Sequence, residues 1–89
     1  MQSDKPHIII DNGSSYIKAG FSGEKIPKAV FMNNVGSSED SFYGVCLSDA
    51  ELLRKRYDPK HPVERGFIVD WDAMEKVWEH TFNNELTNQ

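Results

Sequence analysis

The chain has 89 residues and a net charge of −4. That length allows one small domain burying roughly 60% of its unfolded surface, and it excludes a barrel of about 250 residues. With 38% hydrophobic residues, two Trp, three Tyr and five Phe, disorder throughout is not expected. The acidic balance argues against a nucleic-acid partner. No apolar run approaches the roughly 18 residues of a membrane span.

Cys46 is the single cysteine, so no internal disulfide framework exists and a structural zinc site lacks its usual thiolates. Residues 1–6 are polar, and Ile8-Ile9-Ile10 is too short for the core of a signal peptide. The expected location is a reducing compartment, cytoplasmic or nuclear.

In chain order, His7-Ile8-Ile9-Ile10 predicts a strand buried on both faces, because a continuous β-branched run suits one. Asn12-Gly13 predicts a tight turn, since both residues tolerate positive φ. Residues 16–21 form the return strand and residues 29–32 a third, giving an antiparallel meander. Residues 33–40 are polar and predict a mobile loop. Residues 42–47 predict a short strand. Ser48 with Glu51 has the form of a capping box, which predicts a short helix stopped by Pro59 and Pro62. Residues 63–69 predict another strand. Asp70 is a good N-cap, and Trp71, Met74, Val77, Trp78, Phe82 and Leu86 follow at helical spacing, predicting a closing amphipathic helix with both tryptophans in the core; the alternative, in a truncated chain with no sheet layer to cover them, is an exposed apolar patch.

One constellation carries chemistry. A Gly-containing turn can aim several backbone N–H groups at one point and so hold an anion. In Asp11-Asn12-Gly13-Ser14-Ser15, Ser14 adds a hydroxyl and the nearby Lys18 an ammonium. Asp11 is a carboxylate suited to a hydrated Mg²⁺. The plainer alternative is a hairpin whose Asp and Ser are merely solvated. Asn12-Gly13-Ser14 also fits a glycosylation sequon, which without a signal peptide is read as coincidence. His7, His61 and His80 are scattered and predict surface positions, not metal ligands. Cys46 predicts an inert thiol, with Asp49 and Glu51 nearby to discourage ionisation.

Asp11-Asn12-Gly13-Ser14, leading into Ile17-Lys18-Ala19-Gly20-Phe21, resembles the N-terminus of actin and actin-related proteins. The likeness continues through Gly23, Pro27 and Ala29-Val30-Phe31 and returns at Pro62, Glu64 and Gly66. It is strongest in the segment from Asp70-Trp71-Asp72 to Asn84-Glu85-Leu86, which is similar to the actin helix Trp-Asp-x-Met-Glu-Lys-Ile-Trp-x-His-Thr-Phe. The resemblance implies an α/β chain of the actin-like ATPase (ribonuclease H-like) fold, present as an N-terminal fragment: an antiparallel β-meander plus a C-terminal amphipathic helix. It implies that residues 1–32 and 63–89 are part of actin subdomain 1, and residues 33–62 a shortened subdomain 2-like insertion.

For function, the resemblance implies ATP and Mg²⁺ as cofactors. Asn12, Gly13, Ser14, Ser15 and Lys18 would meet the ATP phosphates, and Asp11 would hold the metal's water shell. Three departures stand out. Ser15 replaces a glycine of actin, and its Cβ limits backbone approach. Arg65 replaces actin's commonly methylated histidine with a permanent charge. The insertion is shorter in the loop that contacts the neighbouring actin subunit. The second phosphate loop and the hydrolytic residues of the family lie beyond this stretch, so hydrolysis by this chain alone is not expected. The expected role is cytoskeletal, within a larger ATP-binding fold. The alternative is a truncated paralogue acting as a non-enzymatic interaction module for actin or actin-binding proteins.

Overall fold

The computed structural model describes residues 7–38 and 43–86. Strands β1 (Ile8–Asn12), β2 (Tyr16–Phe21) and β3 (Ala29–Met32) form an antiparallel sheet in that order. The pleat sorts β2 cleanly: Ile17 and Ala19 are buried, while Tyr16 and Lys18 face out. β1 differs from its expected burial on both faces. It is an edge strand, and Ile8 and Ile9 are 48% and 54% exposed, because no layer covers its outer side within the described residues.

The polar stretch after β3 is no mobile loop in its described part. Asn33 and Asn34 are fully buried. The Asn34 side chain donates to the Leu47 carbonyl and accepts from the Leu47 amide, at 2.9 and 3.0 Å. Satisfied in this way, the buried Asn34 amide costs little, and the chain continues as β4 (Val35–Ser37). Residues 39–40 of that predicted loop, and residue 42 of the next predicted strand, lie outside the described residues. β4 is the centre of a second antiparallel sheet, between β5 (Tyr43–Val45) and β6 (Asp58–Lys60).

Helix α1 (Asp49–Lys55) connects β5 to β6, and its capping box forms as the spacing predicts. The expected proline stop is not what ends it. Arg56 ends the helix in the left-handed conformation, donating its amide back toward Leu52 and Leu53. Pro59 instead sits in β6 opposite Gly36, on an edge strand, where a missing N–H is tolerated.

The single strand expected over 63–69 is a hairpin of β7 (Val63–Glu64) and β8 (Phe67–Ile68). Its two turn residues, Arg65 and Gly66, both have positive φ, 51° and 83°, the requirement of a tight type I′ connection.

Helix α2 (Trp71–His80) opens as predicted, with the Asp70 carboxylate accepting from the Ala73 amide at 3.0 Å. Ala73, Met74 and Val77 are buried. They pack with Ile17, Ala19, Val35, Val63 and Leu86 into one core that joins the two three-stranded sheets and the β7–β8 hairpin to the helix. Full burial of a side chain such as Met74 or Val77 contributes about 1.5–3 kcal/mol.

The helix then widens into a π-helical turn, Thr81–Glu85. The Leu86 amide reaches the Thr81 carbonyl at 3.0 Å, and the Thr81 hydroxyl bonds back to the Val77 carbonyl at 2.8 Å. The extra residue in the turn shifts the phase so that Leu86 returns to the core. It also brings His80 within 2.8 Å of Glu85. Trp71 departs from its expected core position. It is 60% exposed and stacks edge-on against the partly buried Trp78.

Candidate functional site

The β1–β2 connection is wider than the two-residue turn that Asn12-Gly13 suggests. Asn12 is still paired with Ile17, and neither Asn12 nor Gly13 has positive φ. The reason is tertiary. Asn12 lies on the core side of β1, where its Oδ1 accepts the Trp78 indole N–H at 2.9 Å, and this holds it in the strand. The loop therefore begins at Gly13. Its amide donates to the Tyr16 carbonyl at 3.0 Å, and a Cβ at Gly13 would stand 2.6 Å from that oxygen.

Asn33 fixes the tip from below. Its backbone amide donates to the Ser15 carbonyl at 2.9 Å, and its side-chain NH₂ donates to the Gly13 carbonyl at 2.7 Å. Its Oδ1 is buried without a partner among the described residues. Sequence reasoning missed Asn33; the signal was an Asn-Asn pair directly after a strand, with no glycine or proline to mark a loop.

The other residues of the constellation fall into two groups because strand side chains alternate. Asp11 and Lys18 are cross-strand partners on the outer face, exposed, along a groove with Ile9, Phe21 and Pro27. They face each other with opposite charge but do not come within ion-pair distance. Ser14 and Ser15 are exposed at the tip, and neither of their amides donates a hydrogen bond within the described residues. They border a second cleft with His61, Val63, Glu64 and Arg65. The structure thus brings Ser14 and Ser15 to the β7–β8 turn, Asp11 to Lys18, and Asn12 to the core.

Among the described residues, no three of His, Cys, Asp and Glu cluster as a metal site. Asp11 therefore offers a single carboxylate, the ligand count of a mostly hydrated Mg²⁺. Cys46 lies away from the tip, and its thiol is pushed up to about 12, first by burial and then by the nearby Glu85 charge. Glu85, not the expected Asp49 or Glu51, is the acidic neighbour that matters. No helix among the described residues is long and apolar enough to cross a membrane.

The family model for Actin matches residues 2–89. The chain belongs to the actin family. It is 38% identical to centractin of Schizosaccharomyces pombe over 96% of its own length. It spans about a quarter (24%) of that relative. The antiparallel strands and closing helix are accordingly those of the N-terminal portion of an actin-like fold.

Proposed function

We propose that the segment from Asp11 to Lys18 forms one wall of an ATP–Mg²⁺ phosphate site in an actin-related protein with a cytoskeletal role. The observation that carries this reading is the tip. The Ser14 and Ser15 amides are uncommitted, and the loop presenting them is held rigid by Gly13, Asn33 and the Asn12–Trp78 bond. Donors fixed before the ligand arrives lose little on binding. Lys18 supplies charge, and Asp11 would hold the Mg²⁺ water shell. Bound ATP–Mg²⁺ would supply the phosphoanhydride chemistry of the family, while this chain supplies donors and a carboxylate.

On the same reading, residues 1–32 and 63–89 correspond to part of the first subdomain. Residues 33–62, with their own β5-β4-β6 sheet and α1, correspond to a reduced second subdomain. Actin or actin-binding proteins are the proposed partners, and the cytoplasm, with the nucleus as a second site, the proposed location.

Ser14→Ala and Lys18→Ala should each weaken ATP–Mg²⁺ binding about tenfold in fluorescence titration, the scale of one charge-assisted hydrogen bond. Unchanged affinity in both variants would sink the proposal.

A second reading has its own observation. Trp71, Phe67 and Phe82 are 60%, 74% and 45% exposed, and exposed aromatics mark contact surfaces. On that second reading the chain is an interaction module whose exposed aromatics meet a partner.

A further inference from the structure

The cleft between the two hairpin tips holds a cation that nothing in the fold uses. Arg65 borders it together with Ser14 and Ser15. Among the described residues Arg65 has no carboxylate within ion-pair distance, although Glu64 precedes it and borders the same cleft. Its backbone is also costly, since φ is 51° at a bulky, non-glycine residue. Asn or Asp would hold that turn with less strain. A long cationic side chain kept in a left-handed turn at a cleft mouth points from strain to function.

We propose that Arg65 is an anion ligand, and that the guanidinium with the Ser14 and Ser15 donors forms a two-sided seat for a terminal phosphate group. The proposal rests on the phosphate-binding reading of the β1–β2 tip and adds a second wall to it, from the β7–β8 turn of the same chain. The chemistry is complementary. A guanidinium carries five N–H donors in a planar fork and stays charged at all working pH values. The serine hydroxyls and unused amides add neutral donors from the other side.

Asn33 ties the two sides together. It holds the Gly13 and Ser15 carbonyls on the tip side. Its own carbonyl lies 3.3 Å from Nδ1 of His61, which lines the cleft beside Val63 and Arg65. The seat is therefore built on buried structure, not on two free loops. Glu64 borders the same cleft without pairing with Arg65, and its negative charge opposes an incoming anion.

The test is calorimetric titration of the protein with inorganic pyrophosphate and, separately, with ATP–Mg²⁺. Far-UV circular dichroism on each variant checks folding. Arg65→Gln should weaken pyrophosphate binding about tenfold, the loss of one charged hydrogen-bond donor. Arg65→Lys should fall between Arg65→Gln and the unmodified protein, since it keeps the charge and loses the fork. Glu64→Gln should tighten binding about threefold by removing the opposing charge, a gain that a purely structural role for this turn would not produce.

If Arg65→Gln leaves affinity unchanged while Ser14→Ala lowers it, the Arg65 proposal is overturned and the tip's phosphate role survives. If Ser14→Ala also has no effect, both fall. Equal dependence on Arg65 for pyrophosphate and ATP–Mg²⁺ identifies the occupant as the end of a nucleotide tail. Dependence for pyrophosphate alone identifies a free phosphate. Either result supports the seat.

Discussion

The Gly13–Ser15 loop and the Arg65–Gly66 turn border the same cleft, and each contains a glycine, but the two glycines answer different demands. Gly13 has an ordinary φ, and its missing Cβ makes room for the Tyr16 carbonyl. Gly66 has open space around it and is needed for its φ of 83°. One loop is set by contacts made far away in the chain, through Asn33 and Trp78. The other is set by its own two residues. A loop held by tertiary contacts fails when any contact is removed, whereas a local turn fails only by the conformational cost of the residue changed.

The largest expected effect is at Gly13, where an added Cβ would meet the Tyr16 carbonyl at 2.6 Å. Gly13→Ala forces a backbone oxygen to move, and an overpacked site of this kind should lose about 3 kcal/mol, read as a lower urea midpoint at unchanged slope. Asn33→Ala comes next. It leaves the Gly13 carbonyl without its 2.7 Å donor, at about 2 kcal/mol for a buried group left unsatisfied. Gly66→Ala meets no atom within 4 Å and should cost only about 1 kcal/mol, the left-handed penalty for one Cβ. If Gly66→Ala proved the more damaging of the two glycine changes, the distinction between a glycine needed for space and one needed for its φ would be wrong.

The distinction between local and tertiary contacts governs how much the sequence disclosed. The meander was legible because the β-branched run Ile8–Ile10 and the Asn12-Gly13 turn signal, with residues 16–21 as the return, are local features of the chain. The start of α2 was legible because Asp70 and the spacing of Met74 and Val77 are local signals. β4 was not, because the burial of Asn33 and Asn34 depends on partners 13 and 20 residues away. The β7–β8 turn was hidden because arginine rarely takes positive φ. Trp71 was misplaced because helical spacing states which face a residue is on, not whether another layer covers it. In the candidate site, Asp11, Ser14, Ser15 and Lys18 were readable as a constellation. Their separation onto two surfaces follows from strand alternation once Asn12 is known to remain in β1. The approach of Arg65 to Ser14 and Ser15 joins positions fifty residues apart and leaves no local trace.

The smallest expected effect lies where structure is most local, at the cap of α1. The Glu51 carboxylate accepts from the Ser48 amide at 3.1 Å and from its hydroxyl at 3.2 Å. Those bonds hold Glu51 below its ordinary value, the backbone bond contributing most and Arg54 and Lys55 adding weakly. A carboxyl whose folded-state value is depressed adds stability that is present above its unfolded value of 4.5. That stability disappears as pH falls through the lower folded value. Helical circular dichroism should thus decline slightly as pH falls from 5 toward 3, and Glu51→Gln should remove the part of that decline owed to the cap. Because Glu51 bonds only within its own helix cap, the change should stay within α1 and leave the Gly13–Ser15 tip undisturbed, with Trp78 fluorescence constant over the same range. A Trp78 response matching the helix signal would mean that the cap and the tip are coupled, and that the local and tertiary parts of this fold do not fail separately.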